Sequence, residues 1–143
     1  MGRFLYGCRY VMVLGITKGG VCMLNFNSIL LFSENPKILV EFYKKVFGAD
    51  PVWSEGEFTG FQVGSGMFTV GAHEKVRGKN SNPERAIFNF ETNDVIGEFR
   101  RVKDLGAHVV QEPYQPSESP DMWIATFSDP DNNYFQLMSP MKM

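Results

Sequence analysis

Asn35–Asp50 reads NPKILVEFYKKVFGAD, and Asn93–His108 reads NDVIGEFRRVKDLGAH. A shift of 58 positions lays one on the other, matching Ile38 with Ile96, Lys45 with Lys103 and Gly48-Ala49 with Gly106-Ala107. Each stretch predicts a helix. In the first, Asn35 offers an N-cap and Pro36 takes the first helical position, where its missing N–H costs nothing. Ile38, Leu39, Phe42, Val46 and Phe47 recur at helical spacing, Lys37, Glu41, Lys44 and Lys45 take the other face, and Gly48 supplies the stop. In the second, a helix over 94–105 carries Val95, Ile96, Phe99 and Val102 on one face and ends at Gly106.

Outward from these helices the same punctuation repeats. The β-rich run Phe26–Phe32 precedes the first, and three short strands follow it near 51–55, 57–64 and 67–73, separated by Gly56 and Gly64-Ser65-Gly66. Strand 85–92 precedes the second, with strands near 107–112, 121–128 and 133–138 after it. The chain is therefore read as an α+β protein, a tandem repeat of one βαβββ unit: module one at 23–73, a polar linker at 74–84 and module two at 85–140, within a single domain over 23–143. A four-stranded sheet carrying one helix buries only one face, so two such units must pair. The expected result is a cupped, incompletely closed eight-stranded sheet with a helix outside each module, the cup closing within one chain or between two. Pro113–Pro120 (PYQPSESP), with three prolines, is expected to be a stiff exposed loop at its rim rather than strand.

Composition narrows the function classes. The 143 residues are 43% apolar and carry 14 Lys+Arg against 16 Asp+Glu, a formal net charge of −2. That balance leaves no surplus with which to hold a nucleic-acid backbone or an anionic membrane surface. Both cysteines, Cys8 and Cys22, fall in the first 22 residues, so neither staples the later fold, and a cytoplasmic location is expected. Residues 1–22 carry only positive charge and an apolar stretch, Tyr10–Ile16, far shorter than the roughly 20 residues of a membrane span. They are read as a poorly packed arm or a non-native start ahead of Met23.

The paired βαβββ pattern resembles the vicinal oxygen chelate superfamily, the glyoxalase/bleomycin-resistance/extradiol-dioxygenase group. Two motifs carry the resemblance. Phe42-Tyr43-Lys44-Lys45-Val46-Phe47-Gly48 is similar to the family's F-Y-x-x-x-L-G helix end, and Asp129-Pro130-Asp131-Asn132-Asn133 is similar to its D-P-D-G-N turn. Asn132 stands where the family has glycine, a tolerated change because Asn accepts the left-handed conformation. The resemblance covers Met23 to Pro140. With the open sheet edges that paired modules leave, it implies a homodimer.

Metal-using members hold a divalent ion with four side chains on the first and last strands of each module. Carried over by the resemblance and the repeat, those positions fall on Asn27, Thr69, Arg85 and Gln136. A guanidinium is a permanent cation with no lone pair to offer, and no imidazole or carboxylate remains in the set. No metal and no other cofactor is expected, a divalent metal entering only if this register is wrong. His73 lies on the same strand face as Thr69 but about 13 Å along it, too far to replace it as a ligand. The inward set is read as Asn27, Ile29, Leu31, Thr69, Gly71, Arg85, Ile87, Asn89, Tyr134, Gln136 and Met138, with Trp53, Tyr114 and Trp123 as stacking surfaces.

An apolar cup with a few convergent polar groups suits a small organic ligand. An inward Arg85 would make that ligand an anion, gripped by the guanidinium with Asn27 and Gln136 alongside. The first reading is thus a metal-free binding protein resembling the bleomycin-resistance type, with no catalytic residue identified. The alternatives are a glyoxalase-like lyase or isomerase with a non-standard metal site, and a dimer-forming scaffold. An extradiol dioxygenase is disfavoured because the two-histidine, one-carboxylate iron set is missing.

Overall fold

The computed structural model describes residues 23–142, so the expectation for residues 1–22 lies outside them. Module one runs β1 (Ser28–Ser33), α1 (Pro36–Phe47), β2 (Trp53–Glu55), β3 (Phe58–Val63) and β4 (Gly66–Ala72). Module two repeats the order with β5 (Ile87–Glu91), α2 (Val95–Asp104), β6 (His108–Tyr114), β7 (Ile124–Ser128) and β8 (Tyr134–Met138). The eight strands form two four-stranded mixed sheets, ordered β1-β4-β3-β2 and β5-β8-β7-β6, not closed into a barrel. In each, the first and last strands are the parallel pair. Among the described residues no helix is long and apolar enough to cross a membrane.

The expected caps form, with one difference. Gly48 ends α1 at φ 62, the left-handed conformation a glycine adopts without penalty. Asp94 caps α2 by accepting from the Gly97 N–H at 2.9 Å, whereas the Asn35 side chain makes no cap bond to α1. The buried stripe of α1 is Leu39, Tyr43 and Val46, while Ile38 is 55% exposed, so the face predicted from the sequence is rotated toward Ile38 and omits Tyr43. Pro113 and Tyr114 are strand rather than loop. β6 is an edge strand with register shifts on both sides of Gln111, and there proline's missing donor breaks no ladder.

What joins the modules is α1. Tyr43, fully buried, has its ring 4.7 Å from Phe68 of β4 and 5.9 Å from Phe135 of β8. Phe47 meets Phe61 and Phe90 at 5.4 and 5.2 Å, and Phe68 meets Phe88 at 5.5 Å. The helix-bearing faces of both sheets thus look into one shared core, with α2 closing it over Phe127 through Phe99. Within one chain the opposite faces of the two sheets therefore point away from that core, and a cavity of about 260 Å³ lies at the seam between the modules, lined by Asn27, Ile29 and Phe68 from one and Ile87 and Asn89 from the other.

Two polar clasps lock this arrangement. The Tyr43 hydroxyl donates to Asp129 Oδ2 at 2.7 Å, and the same carboxylate accepts from the Asn133 side chain and from the Asp131 and Asn133 backbone N–H groups. The turn that Asp129 opens thus caps its own backbone, as its Asp and Asn content predicts, and Asn132 adopts φ 62 in it. The linker is sewn to the same turn: Asn80 N–H donates to Asp131 O, Asn132 Nδ2 to Asn80 O, and Asn80 Nδ2 to Asn133 Oδ1. At the far end of α1, Arg101 of α2 donates to the terminal carbonyls of Val46 and Lys45 while paired with Glu98.

Tyr43→Phe removes one donor to a buried, ionised carboxylate without changing the ring packing. It should lower the unfolding free energy by about 1.5–3 kcal/mol, the span for hydrogen bonds to charged groups, measured by urea denaturation. Burial raises the Asp129 carboxyl above its ordinary value, the donors from Asn133, Tyr43 and Asp131 offsetting part of the rise. The folded state therefore binds this proton more tightly than the unfolded chain, so the group's contribution is fully present below the unfolded value and is lost as pH rises through the folded one. The stability of the wild type relative to Asp129→Asn should accordingly increase as pH falls from about 7 to about 4; a gap that narrows over that range would contradict the assignment.

Candidate functional site

The sheet faces that carry no helix are where side chains remain available. Phe68 and Val70 enter the core from β4, and their register partners on β1 are Ile29 and Leu31. Ile29 and Leu31 therefore sit on the helix side, and the open face of β1 carries Ser28, Leu30 and Phe32 instead. This corrects the sequence register of β1 by one residue. The slip is confined to the first module, since in the second the open face carries Ile87, Asn89, Tyr134, Gln136 and Met138, the residues the sequence assigns to it. Ile29 pairs with Phe68 and Phe88 with Phe135, so the strands superpose with a shift of 59 rather than the 58 that fits the helix ends. Asn27 is exposed and precedes β1, and Arg85 is exposed in the 3₁₀ turn Pro83–Arg85 ahead of β5. Neither projects from a strand, and the inward anion grip expected of Arg85 is not formed.

Thr69 and Gln136 fall where the sequence places them, each at the centre of an open face. In module one, the register aligns Leu30, Thr69, Gly60 and Trp53 across the four strands. Gly71 lies one row further along, with Phe32 as its partner on β1 and the Phe58 ring over its Cα. In module two the equivalent row is Asn89, Gln136, Thr126 and Gln111, polar throughout, and Gln136 Nε2 donates to Thr126 Oγ1 at 3.0 Å. The two central rows thus differ in chemistry: in module one Leu30 and Trp53 flank the Thr69 hydroxyl and Gly60, while in module two three amides and one hydroxyl stand side by side.

The remaining candidates lie at the margins. His73 is exposed just past β4, with its ring edge-on to Phe32 at 5.0 Å and its Nδ1 accepting from the Lys75 N–H. Trp53 and Phe58 are 40% and 38% exposed on the open face of module one. Tyr114 ends β6 and Trp123 precedes β7, on the other sheet. The structure brings Trp53 and Thr69 together and leaves Tyr114, Trp123 and Gln136 to the second module. Phe32 and Phe58 are absent from the residues that the sequence nominates. Their signal is the alternation around Phe68, which fixes the face of β1 once Phe68 is known to be buried.

As a metal centre the open faces do not fit. With the register corrected, the residues at the equivalent positions are Ser28, Thr69, Ile87 and Gln136, two hydroxyls, an aliphatic and an amide. Divalent ions need imidazole, thiolate or carboxylate donors. Among the described residues no group of three His, Cys, Asp or Glu side chains is placed to hold a metal ion.

Residues 28–138 match the model of the glyoxalase-like domain family, and the chain belongs to that family. Among solved structures, it is similar to a glyoxalase/bleomycin resistance protein/dioxygenase family enzyme from Burkholderia phytofirmans, at a TM-score of 0.66 and 18% identity over 80% of this chain and 98% of that one. A glyoxalase-related enzyme from Fulvimarina pelagi gives 0.66 at 15% identity, over 81% and 88% of the two chains. A fosfomycin resistance protein from Listeria monocytogenes gives 0.58 at 17% identity, over 88% and 96%. These likenesses establish the paired-module fold. No curated protein sequence gives a significant match.

Because Arg85 is exposed and outside the strand, Arg85→Ala should change the unfolding free energy by less than about 0.5 kcal/mol. In a thermal-shift screen of small carboxylates and phosphates, any stabilisation of the wild type should be matched by the variant; a loss confined to the variant would restore Arg85 as a ligand contact.

Proposed function

We propose that this protein binds a small organic molecule on its open sheet faces without a metal ion and without turnover, in the manner that a sequestering protein requires. The observation that supports this reading is the open face of module one. It gathers Leu30, Phe32, Trp53, Phe58 and the Thr69 hydroxyl, and it carries neither a metal-ligand set nor a paired acid and base. The anionic character expected of the ligand rested on Arg85, and with that residue outside the strand the ligand is best described by the apolar face it meets. The second reading, a metal-dependent lyase or isomerase, needs donors that Ser28, Thr69, Ile87 and Gln136 do not supply.

The functional unit in this proposal is a homodimer acting in the cytoplasm. Leu30 is 51% exposed and Ile87 is 37% exposed on sheet faces that point away from the core of one chain. A second copy related by a two-fold axis would bring the open face of module one against that of module two and close both cups at once. Sedimentation at micromolar concentration should give a dimer, and a monomer would remove this part of the proposal.

Protein purified without chelator should contain no stoichiometric zinc, nickel, manganese or iron by elemental analysis, and its melting temperature should be unchanged by EDTA. One metal ion per chain, lost on mutating Gln136 or His73, would overturn the metal-free reading in favour of the lyase.

A further inference from the structure

The open face of module one contains two glycines whose missing side chains are replaced by aromatic rings. A Cβ built on Gly60 would lie 2.5 Å from Trp53 Cε2, so the indole rests directly on the Gly60 backbone, its register partner across β2 and β3. A Cβ on Gly71 would lie 2.5 Å from Phe58 Cδ1, and the Phe58 ring occupies that space on the same face. Phe32 approaches Phe58 edge-on at 6.3 Å. Two rings are thus laid down on backbone rather than standing off the sheet, while Trp53 and Phe58 stay 40% and 38% exposed.

Between the two glycines stands Thr69, only 8% exposed. Its hydroxyl has no hydrogen-bond partner among the described residues, yet no buried side-chain polar atom there is left unsatisfied, so the oxygen reaches the open side. A nearly buried hydroxyl with no protein partner, framed by flattened rings, is an arrangement that a ligand completes. Glu55, in the row of Phe32, Gly71 and Phe58, is the ionisable residue that the strands of this face contribute, and His73 stands beyond β4 against Phe32, about 13 Å along the strand from Thr69, so the strands place no cation beside the Thr69 hydroxyl to hold an anion.

We infer that Trp53, Thr69 and Phe58 form a shelf for a flat, uncharged aromatic ring system bearing one hydrogen-bonding substituent, the rings stacking on Trp53 and the substituent meeting the Thr69 hydroxyl. This rests on the binding function proposed above and names its ligand class and its anchoring residues. The glycines set the specificity: a side chain at either position would lift its ring and spoil the plane that a flat ligand needs.

The test uses three probes, 2-naphthol, naphthalene and decahydro-2-naphthol, titrated by calorimetry into the full-length protein. The wild type should bind 2-naphthol at least tenfold more tightly than its saturated counterpart, since only the former can stack. Trp53→Ala should abolish that preference, and Gly60→Ala should weaken it although the indole itself is retained. Thr69→Val should weaken 2-naphthol several-fold and leave naphthalene unchanged, and because Val has the shape of Thr its fold is retained. Lys37→Ala, on the exposed side of α1 and away from both open faces, should alter none of these. Equal affinity for the flat and saturated compounds, no binding of 2-naphthol, or binding that survives both Trp53→Ala and Thr69→Val would each overturn the shelf. Hits of other chemistry in the thermal-shift screen would still uphold a binding function, so the two proposals fail separately.

Discussion

The buried hydrogen bond from Tyr43 to Asp129 fixes how the two halves of this protein meet. A phenol and a carboxylate can enter an apolar core only if each finds its partner there, and these two residues come from different modules. Tyr43 also places its ring against Phe68 and Phe135, so a single side chain bridges the modules both by hydrogen bonding and by packing. Once α1 is held against both sheets, their helix-bearing faces are committed to a common core. The faces without a helix are left open.

Those faces repeat one pattern and differ in chemistry rather than geometry. Thr69 and Gln136 occupy equivalent positions beside the first strand of each module. Gln136 is satisfied by Thr126 within its own sheet, whereas Thr69 is flanked by Gly60 and faces the open side. Where Gln136 already donates to Thr126, a small ligand must replace that hydrogen bond to gain one from the same group. The aromatic row has no such competitor, and its rings offer area that water solvates poorly.

Much of the architecture is legible in the amino-acid order. The repeat, both helices, the Gly48 stop and the Asp129–Asn133 turn follow from local signals, because caps and turns depend on residues adjacent in sequence. The face assignment of β1 does not. A one-residue slip exchanges Ile29 and Leu31 for Leu30 and Phe32, and in an apolar run such as Ile29-Leu30-Leu31-Phe32 the sequence offers no alternation to prevent it. Arg85 is misplaced for another reason: it shares the alternation of Ile87 and Asn89, but the strand begins only at Ile87, and the 3₁₀ turn holds Arg85 ahead of it. Tyr43 escapes for a related reason: its period fits the buried stripe, yet a polar hydroxyl argues against burial until Asp129 is known to meet it.

Sequence by itself determined the local units: two βαβββ modules, their order, their linker and the residue types each sheet offers. It also disfavoured a metal centre, since neither the register expected from the sequence nor the one the strands adopt puts a His or a carboxylate at the four equivalent positions. Only the tertiary structure decided which face of each sheet is spent on the core and which stays open, because that choice is made by contacts between residues some 86 positions apart, such as Tyr43 and Asp129. Periodicity states that a strand has two faces; the partner across the core selects between them, and here it selected the aromatic one on module one to remain outside.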